Sequence, residues 1–261
     1  MKRIAEAFEG KSFIAYIMAG DPDLDSTAEY ILTAQAAGAD LIEIGIPFSD
    51  PIAEGETIQA ASIRALRTGL KLTDIFDMVE SIRDEIEIPL VFMTYLNPVF
   101  VYGYDRFFVR CSEIGIQGLI IPDVPFEEQH DIKESAQKFG IEVISLIAPT
   151  SEERVIKIAQ EAEGFIYLVS SMGVTGVRTE ITTDLSPTVE KIRTITSVPI
   201  AIGFGISTPE QAATYSQIAD GVIVGSAIVN IIGKHGTHAR EPLFEYISSM
   251  KAAINRSTLS T

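Results

Sequence analysis

Short, almost uninterrupted apolar runs rich in β-branched residues recur along the chain, and helical patterns separate them. Runs this continuous are typical of strands that are covered on both faces, as in a parallel sheet. The regular alternation of strand and helix therefore predicts an α/β fold with parallel strands. Eight strands are expected on this basis, at residues 12–18, 39–45, 89–95, 118–123, 142–148, 165–170, 199–205 and 221–226.

Eight strand–helix units in 261 residues predict that the sheet closes into a TIM (β/α)₈ barrel, with residues 1–261 forming one domain. The alternative, an open doubly wound sheet, would be expected to carry G-x-G-x-x-G after an early strand. Gly20 stands alone after the first strand, in AGDPD, so this fingerprint is absent. By analogy with the fold, we expect the first segment, KRIAEAFEG, to form a short extra helix that plugs the bottom of the barrel.

Polar residues mark the expected starts of helices. Asp25 and Ser26 are candidates for the cap of the helix that follows the first strand. Thr208 is followed by Pro209 and, three residues after the cap, by Gln211, a spacing that predicts a capping box.

The charge and cysteine content exclude several classes of protein. A formal net charge of −16 disfavours general nucleic-acid binding and a polybasic membrane anchor. The longest apolar stretch, residues 222–232, is too short to span a bilayer, and the start of the chain lacks the apolar segment of a signal peptide. Cys111 is the only cysteine, so no internal disulfide can form and we expect a cytoplasmic protein.

Glycine clusters follow three successive strands, at 173–176 (GVTG), 203–207 (GFGIS) and 225–229 (GSAIV). Glycine lets backbone N–H groups approach phosphate oxygens closely, and Ser226 adds a hydroxyl at the start of a short helical run. In TIM barrels the loops after strands seven and eight often hold a phosphate with the help of such a helix. One cluster alone is often only a turn, but the three together predict a phosphate site.

Carboxylates concentrate in and after the second strand. Glu43 lies within the apolar run LIEIG, and strand alternation places it on one face with Leu41 and Gly45. We expect that face to be the barrel interior, near the C-terminal mouth where active sites lie. The alternative is a buried glutamate in a structural polar network. The loop that follows carries Asp50, Glu54 and Glu56, of which Glu56 is expected to be a solvated charge.

Two carboxylates in unlike environments can divide acid and base work, because the desolvated one retains its proton while the wetter one stays ionised. This pattern predicts proton-transfer chemistry on a phosphorylated small molecule without naming the reaction. His130, His235 and His238 share no metal-ligand spacing, so no metal is expected. No lysine lies in an expected strand, which disfavours Schiff-base chemistry.

Six motifs, in order and with matching gaps from about residue 10 to residue 232, resemble the tryptophan synthase α-subunit family. They are LIEIGIPFSDPIAEGETIQ, FMTYLNPVF, GLIIPDVPFEE, FIYLVSSMGVTGVR, PIAIGFGIS and GVIVGSAIV. The resemblance implies a lyase of tryptophan biosynthesis that cleaves indole-3-glycerol phosphate to indole and glyceraldehyde 3-phosphate by a retro-aldol reaction. It further implies no cofactor in this subunit and an α2β2 complex with a β subunit that holds pyridoxal phosphate. The implied interface is the barrel mouth.

The resemblance also implies roles for individual residues. Glu43 matches the family's general acid–base, Glu54 the carboxylate that polarises the indole N–H, and Tyr167 a tyrosine near the indole. Asp50 and Thr175 match residues that meet on loop closure. The remaining matches are pocket-lining Tyr95, Ile120 and Ile147, and the phosphate-site residues Thr175, Gly176, Gly203, Phe204, Gly205, Gly225 and Ser226.

The sequence departs from the family pattern in the acidic loop, where the family has Asp at the position of Glu54 and Pro at that of Glu56. Glutamate is one methylene longer, and a misplacement of about 1 Å can cost roughly 10²-fold in rate. Three hypotheses stay open at this point. The chain is an active lyase, an impaired partner that mainly activates a β subunit, or another phosphate-binding barrel such as a pentose-phosphate epimerase or a prenyl-glycerol-phosphate synthase. An epimerase would need metal-ligating histidines on strands, and none of the expected strands has one.

Overall fold

The computed structural model of the protein describes residues 3–149, 151–169 and 184–258. Its strands all pair in parallel. They are β1 (Ser12–Met18), β2 (Leu41–Gly45), β3 (Leu90–Met93), β4 (Ile116–Ile120), β5 (Glu142–Val143), β6 (Ser145–Ile147), β7 (Ile166–Val169), β8 (Ile200–Gly203) and β9 (Gly221–Val224).

Helices connect the strands and form the outer layer. The α-helices are α1 (Leu24–Ala36), α2 (Glu56–Leu66), α3 (Leu72–Ile82), α4 (Leu96–Tyr102), α5 (Tyr104–Ile114), α6 (His130–Lys138), α7 (Glu152–Gln160), α8 (Ser186–Arg193), α9 (Pro209–Ile218), α10 (Ser226–His235) and α11 (Arg240–Thr258). Short 3₁₀ helices occupy Ile4–Phe8, Arg83–Glu85, Phe126–Glu128 and Gly236–His238.

The strand order β5-β4-β3-β2-β1-β9-β8-β7-β6 brings two pieces of the same stretch of chain to the two ends of the sheet. β5 pairs with β4 and β6 with β7, and only Ile144 separates β5 from β6. The backbone N–H of Ile144 donates to Leu119 O at 2.9 Å. The sheet is therefore a nearly closed barrel, which confirms the expected (β/α)₈ fold. The fifth expected strand, 142–148, is broken into two short pieces.

Side chains divide between the barrel interior and the layer under the helices, as strand alternation requires. Ile14, Tyr16 and Met18 of β1 pack in the interior cluster, whereas Phe13 and Ile17 pack against the helices. Ile4 and Ala7 of the first 3₁₀ helix join the interior cluster. The expected N-terminal plug is therefore present, although it is a 3₁₀ helix of five residues.

One expected helix cap is confirmed and another is corrected. Thr208 accepts a hydrogen bond from the backbone N–H of Gln211, and the capping box of α9 is complete. The cap of α1 is Asp23, whose carboxylate accepts from the N–H of Ser26, and not Asp25 or Ser26 as expected. Among the residues that the structure describes, no helix is both long and apolar enough to cross a membrane.

Candidate active site

Glu43 projects into the barrel interior from the middle of β2. Its backbone pairs with Tyr16 on one side and with Val91 on the other. The residue is 1% exposed, and its Oε2 atom has no hydrogen-bond partner among the described residues. Burial penalises the charged form and raises the pKa of Glu43 to about 8. An unpaired carboxyl group in this position is costly for folding, which favours a role in chemistry over a structural polar network.

Glu54 reaches the same interior from the loop between β2 and α2. The residue is 5% exposed, and its Oε2 is likewise buried without a hydrogen-bond partner in the described part of the chain. Burial raises its pKa to about 7, so Glu54 ionises more readily than Glu43. The pKa values of the two acids thus differ in the direction required if Glu43 is the proton donor and Glu54 the ionised carboxylate.

The loop that carries Glu54 is held from below by Tyr95. The Tyr95 hydroxyl accepts a hydrogen bond from Ala53 N at 3.1 Å, and its ring stacks on Phe48 with centroids 5.2 Å apart. Ser62 of α2 accepts from Phe48 N and donates to Phe48 O, each at 3.0 Å. Tyr95 therefore fixes the backbone of the acidic loop.

The helix that follows Glu54 is tied to the loop after the neighbouring strand β1. Arg64 of α2 donates two hydrogen bonds of 2.7 Å to the buried Asp21, in the loop after β1. A bidentate guanidinium–carboxylate pair has a defined geometry, so α2 is fixed relative to β1.

Both carboxylates line one cavity in the C-terminal half of the barrel. The lining is mainly apolar and aromatic apart from the two acids and Ser226. The described residues that line it are Tyr16, Glu43, Glu54, Ile58, Met93, Tyr167, Phe204, Gly205, Ile206, Ile223, Gly225 and Ser226.

Two glycines make room for two tyrosines in this cavity. A Cβ atom on Gly45 would lie 2.1 Å from the hydroxyl oxygen of Tyr16, and one on Gly203 would lie 2.5 Å from that of Tyr167. Both phenols are buried, and burial followed by the charge of nearby Glu43 or Glu54 raises each pKa well above 10. Both hydroxyls therefore stay protonated and act as neutral hydrogen-bond groups.

The turns after β8 and β9 border the cavity through Phe204, Gly205, Gly225 and Ser226. After β8 the chain passes through two successive positive φ angles, 76° at Phe204 and 84° at Gly205. A turn in this loop can present successive backbone N–H groups to an anion. After β9, Gly225 is the N-cap of α10 and provides no side-chain cap, so the first N–H groups of a ten-residue helix face the cavity beside Ser226.

The structure therefore brings most of the residues singled out in the sequence to one place. Glu43, Glu54, Tyr167, Phe204 and the residues of the Gly225–Ser226 turn meet at the cavity. Thr175 and Gly176 lie outside the described residues, so their expected roles in the phosphate site and in loop closure stay predictions.

Several expected site residues lie elsewhere. Ile147 packs in the layer between the barrel and the helices, while its neighbour Leu146 packs on the interior side, and the role of Ile147 in lining the substrate pocket stays a prediction. Ile120 is in the interior but does not line the cavity, and Tyr95 supports the acidic loop from outside it.

The two remaining acids of the loop are exposed. Asp50 accepts a hydrogen bond from the hydroxyl of its neighbour Ser49, and Glu56 opens helix α2 in solvent. The expectation for Glu56 is confirmed, and Asp50 is placed on the open side of the mouth. No cluster of histidine, cysteine, aspartate or glutamate in the described ranges has the arrangement of a metal site.

Sequence reasoning missed Tyr16. The signal available was a single phenol in the otherwise aliphatic strand SFIAYIM, at the same parity as Ile14 and Met18. Parity alone cannot assign that face to the interior, because both faces of β1 are equally apolar.

Comparison with known proteins is consistent with this geometry. The sequence matches the family model described as tryptophan synthase alpha chain over residues 3–255. The tryptophan synthase alpha chain of Lacticaseibacillus casei is 47% identical over 98% of this chain and 96% of its own length. That of Thermoanaerobacter sp. strain X514 is 47% identical over 97% of this chain and 100% of its own.

Solved structures agree. The tryptophan synthase subunit alpha from Legionella pneumophila superposes with a TM-score of 0.88 at 36% identity, covering 98% of this chain and 99% of its own. A chain from the tryptophan synthase α2β2 complex of Pyrococcus furiosus superposes with a TM-score of 0.86 at 37% identity, covering 93% and 98%.

Proposed function

The chain belongs to the tryptophan synthase alpha chain family, and we propose that the barrel cavity is the site where it cleaves its substrate. The chain is a lyase of tryptophan biosynthesis, which converts indole-3-glycerol phosphate to indole and glyceraldehyde 3-phosphate. The observation that carries the assignment of the site is the pair of buried carboxyl groups of Glu43 and Glu54, which face one cavity and whose Oε2 atoms have no hydrogen-bond partner in the described part of the chain.

In the proposed mechanism Glu43 is the general acid and then the general base. With a pKa of about 8 it holds a proton at neutral pH and donates it to C3 of the indole ring. The bond between C3 and the first glycerol carbon then breaks, and its electron pair returns to the ring. The Glu43 carboxylate takes the proton of the hydroxyl on that carbon, which becomes the aldehyde. Glu43 ends the cycle protonated, as it began.

Glu54 stabilises the charge that develops on the ring. Protonation at C3 makes the indole nitrogen cationic, and an ionised carboxylate that accepts its N–H lowers the energy of that state. The pKa of about 7 leaves Glu54 largely ionised under conditions in which Glu43 is still protonated. We assign Tyr167 to the wall beside the ring, where its phenol packs edge-on against Phe204 with centroids 5.9 Å apart.

The phosphate is proposed to bind between the loops after β8 and β9. The support is the two successive positive φ angles at Phe204 and Gly205 and the uncapped N-terminus of α10 at Gly225 and Ser226. Because the overall charge of the chain is −16, binding of a dianion depends on these local N–H dipoles. Gly203 admits Tyr167 next to this cradle.

We further propose that the chain works in an α2β2 complex and docks a β subunit at the barrel mouth. Three large apolar side chains there are exposed: Ile52 by 73% in the loop that carries Glu54, and Phe100 and Val101 by 66% and 75% on α4. Asp123 anchors α4 by accepting from Leu96 N with both carboxylate oxygens. Exposed apolar patches of this kind mark protein interfaces.

On the resemblance alone, we propose that pyridoxal phosphate belongs to the β subunit and that this chain uses no cofactor. A cytoplasmic location and a single domain over residues 1–261 are proposals of the same kind. Cys111, the only cysteine, is free and buried, which is compatible with a reducing compartment.

The test is indole release from indole-3-glycerol phosphate by the purified chain, with and without an added tryptophan synthase β subunit. The chain contains no tryptophan, so it adds no tryptophan emission to the fluorescence of released indole. We expect slow release alone and strong stimulation by the β subunit. No indole in either condition would refute an active lyase and favour the impaired partner, for which the longer Glu54 is the motivation.

A further inference from the structure

Tyr16 lies between the two halves of the cavity. In the sheet, β1 is flanked by β2, which carries Glu43, and by β9, which leads into the Gly225 turn. The backbone of Tyr16 pairs with that of Glu43, and a Cβ atom on Gly225 would lie 3.5 Å from the Cβ of Tyr16 and 3.7 Å from its ring. One side chain therefore borders both the acid–base group and the proposed phosphate cradle.

The hydroxyl of Tyr16 is almost without hydrogen bonds to the described part of the chain. Its one hydrogen bond there goes to Met18 Sδ at 3.9 Å, and a thioether is a weak acceptor. The Oε2 atoms of Glu43 and Glu54 accept no hydrogen bond from this hydroxyl or from any other described residue, although both acids line the same cavity. A buried phenol in this state is an available donor, and its desolvation is offset when a ligand oxygen accepts from it.

The slot over Gly45 holds the hydroxyl in place. Any Cβ on Gly45 would occupy the position of the phenol oxygen, at 2.1 Å, and of its ring carbon, at 2.5 Å. Burial, together with the negative charges of Glu54 and Glu43, raises the pKa of Tyr16 well above 10. The group is therefore a neutral donor throughout the physiological pH range.

The position of this donor indicates which part of the substrate it meets. A ligand with its phosphate at Gly225 and Ser226 and its reacting carbon at Glu43 must place the atoms between them beside β1. In indole-3-glycerol phosphate those atoms are the hydroxyl-bearing carbons of the glycerol chain. We propose that Tyr16 is a further substrate-contacting, specificity-determining residue, whose hydroxyl donates a hydrogen bond to a glycerol oxygen of the substrate. This inference rests on the proposed function of the cavity.

Such a contact makes the site select for an oxygen at this position. Ligands that contain only one end of the substrate should not sense the hydroxyl. The affinity of the site for indole and for inorganic phosphate should then be independent of Tyr16, whereas glycerol 3-phosphate, which contains the glycerol oxygens, should depend on it.

The test variant is Tyr16→Phe, which leaves the ring in the Gly45 slot and removes only the oxygen. Binding of glycerol 3-phosphate and of inorganic phosphate is measured by titration calorimetry, and binding of indole by its own fluorescence. We expect Tyr16→Phe to weaken glycerol 3-phosphate about fivefold, the effect of one neutral hydrogen bond, and to lower kcat/KM for the full substrate by about as much. Affinities for indole and phosphate should change by less than about twofold. Tyr215→Phe, which removes a phenol oxygen from the outer helix α9, is the matched control and should change none of these values.

Two outcomes would overturn the proposal while leaving the proposed function intact. Unchanged glycerol 3-phosphate affinity in a variant that still cleaves the substrate would show that the hydroxyl makes no such contact. An equal loss of indole affinity would place the hydroxyl in the ring pocket or beside Glu54 instead. A wild-type chain that binds neither phosphate ligand and releases no indole would refute the proposed function, and this contact with it.

Discussion

The pH dependence of indole release follows from the two buried acids. Turnover requires Glu54 ionised, to accept the indole N–H, and Glu43 protonated, to donate to C3. As pH falls through about 7, Glu54 takes up a proton and loses its function; as pH rises through about 8, Glu43 loses the proton that it must donate. The rate should therefore be bell-shaped, with a narrow maximum between the two values.

The width of the bell can be worked out from these pKa values. With values of about 7 and about 8, the fraction of molecules in the active form peaks at about 0.6 near pH ~7.5 and falls to about 0.1 at pH ~6 and pH ~9. The rate should consequently drop about sixfold on either side. If Glu43 had the ordinary pKa of a glutamate, it would be ionised throughout this range and could not donate a proton.

The assay is the pH profile of kcat and of kcat/KM for indole release, with the β subunit present throughout if the free chain is slow. The substrate's own phosphate titrates near pH ~6, so Glu54→Gln is the control: it retains the phosphate titration and loses the limb that belongs to Glu54. An acid limb that is unchanged in Glu54→Gln, or the absence of a basic limb up to pH ~10, would refute the division of roles between Glu43 and Glu54.

Three further variants test other parts of the site. Glu43→Gln should abolish indole release with phosphate-ligand affinity retained. Because the folded-state pKa of Glu43 is raised, the group ionises in the unfolded chain before it does in the folded one, and stability falls as pH rises from ~4.5 to ~8. Glu43→Gln should therefore raise the free energy of unfolding, measured by urea denaturation, by about 3 kcal/mol at neutral pH. Retained turnover in this variant would remove Glu43 from the acid–base role. Gly205→Ala, at φ 84°, should lose about 1–2 kcal/mol of stability and bind phosphate more weakly. The matched control Gly69→Ala, at φ 76° with open space around it, should lose similar stability and keep its phosphate affinity. Equal phosphate affinity in the two variants would make the loop after β8 only a turn. Glu54→Asp shortens the side chain by one methylene, and steady-state kinetics should show a loss of kcat if the loop held by Tyr95 is adapted to glutamate. A large gain in kcat would instead support the hypothesis that the chain is an impaired enzyme that mainly activates a β subunit.

Strand positions and the interior location of Glu43 could be predicted from the sequence by itself. β1 begins and ends where the apolar run does, at Ser12 and Met18, because burial on both faces needs a continuous hydrophobic segment. The placement of Glu43 followed from alternation along β2, since a buried charge has few tolerable positions. The glycine turn after β8 was visible for a local reason, because a left-handed backbone such as that of Gly205 excludes most side chains.

Other features depend on contacts between residues far apart in the chain, and only the tertiary structure decided them. The break of the fifth strand at Ile144 arises where the barrel closes, because β5 pairs with β4 while β6 pairs with β7. Alternation continues across the break, with Val143 and Ile147 under the helices and Ile144 and Leu146 on the interior side. The importance of Tyr16 depends on Gly45, a residue of the neighbouring strand that leaves space for the phenol. The pKa values of Glu43 and Glu54 likewise come from burial by the closed barrel as a whole. Local patterns determine which elements form and which faces they bury, whereas the pairing of those elements determines which side chains share a cavity.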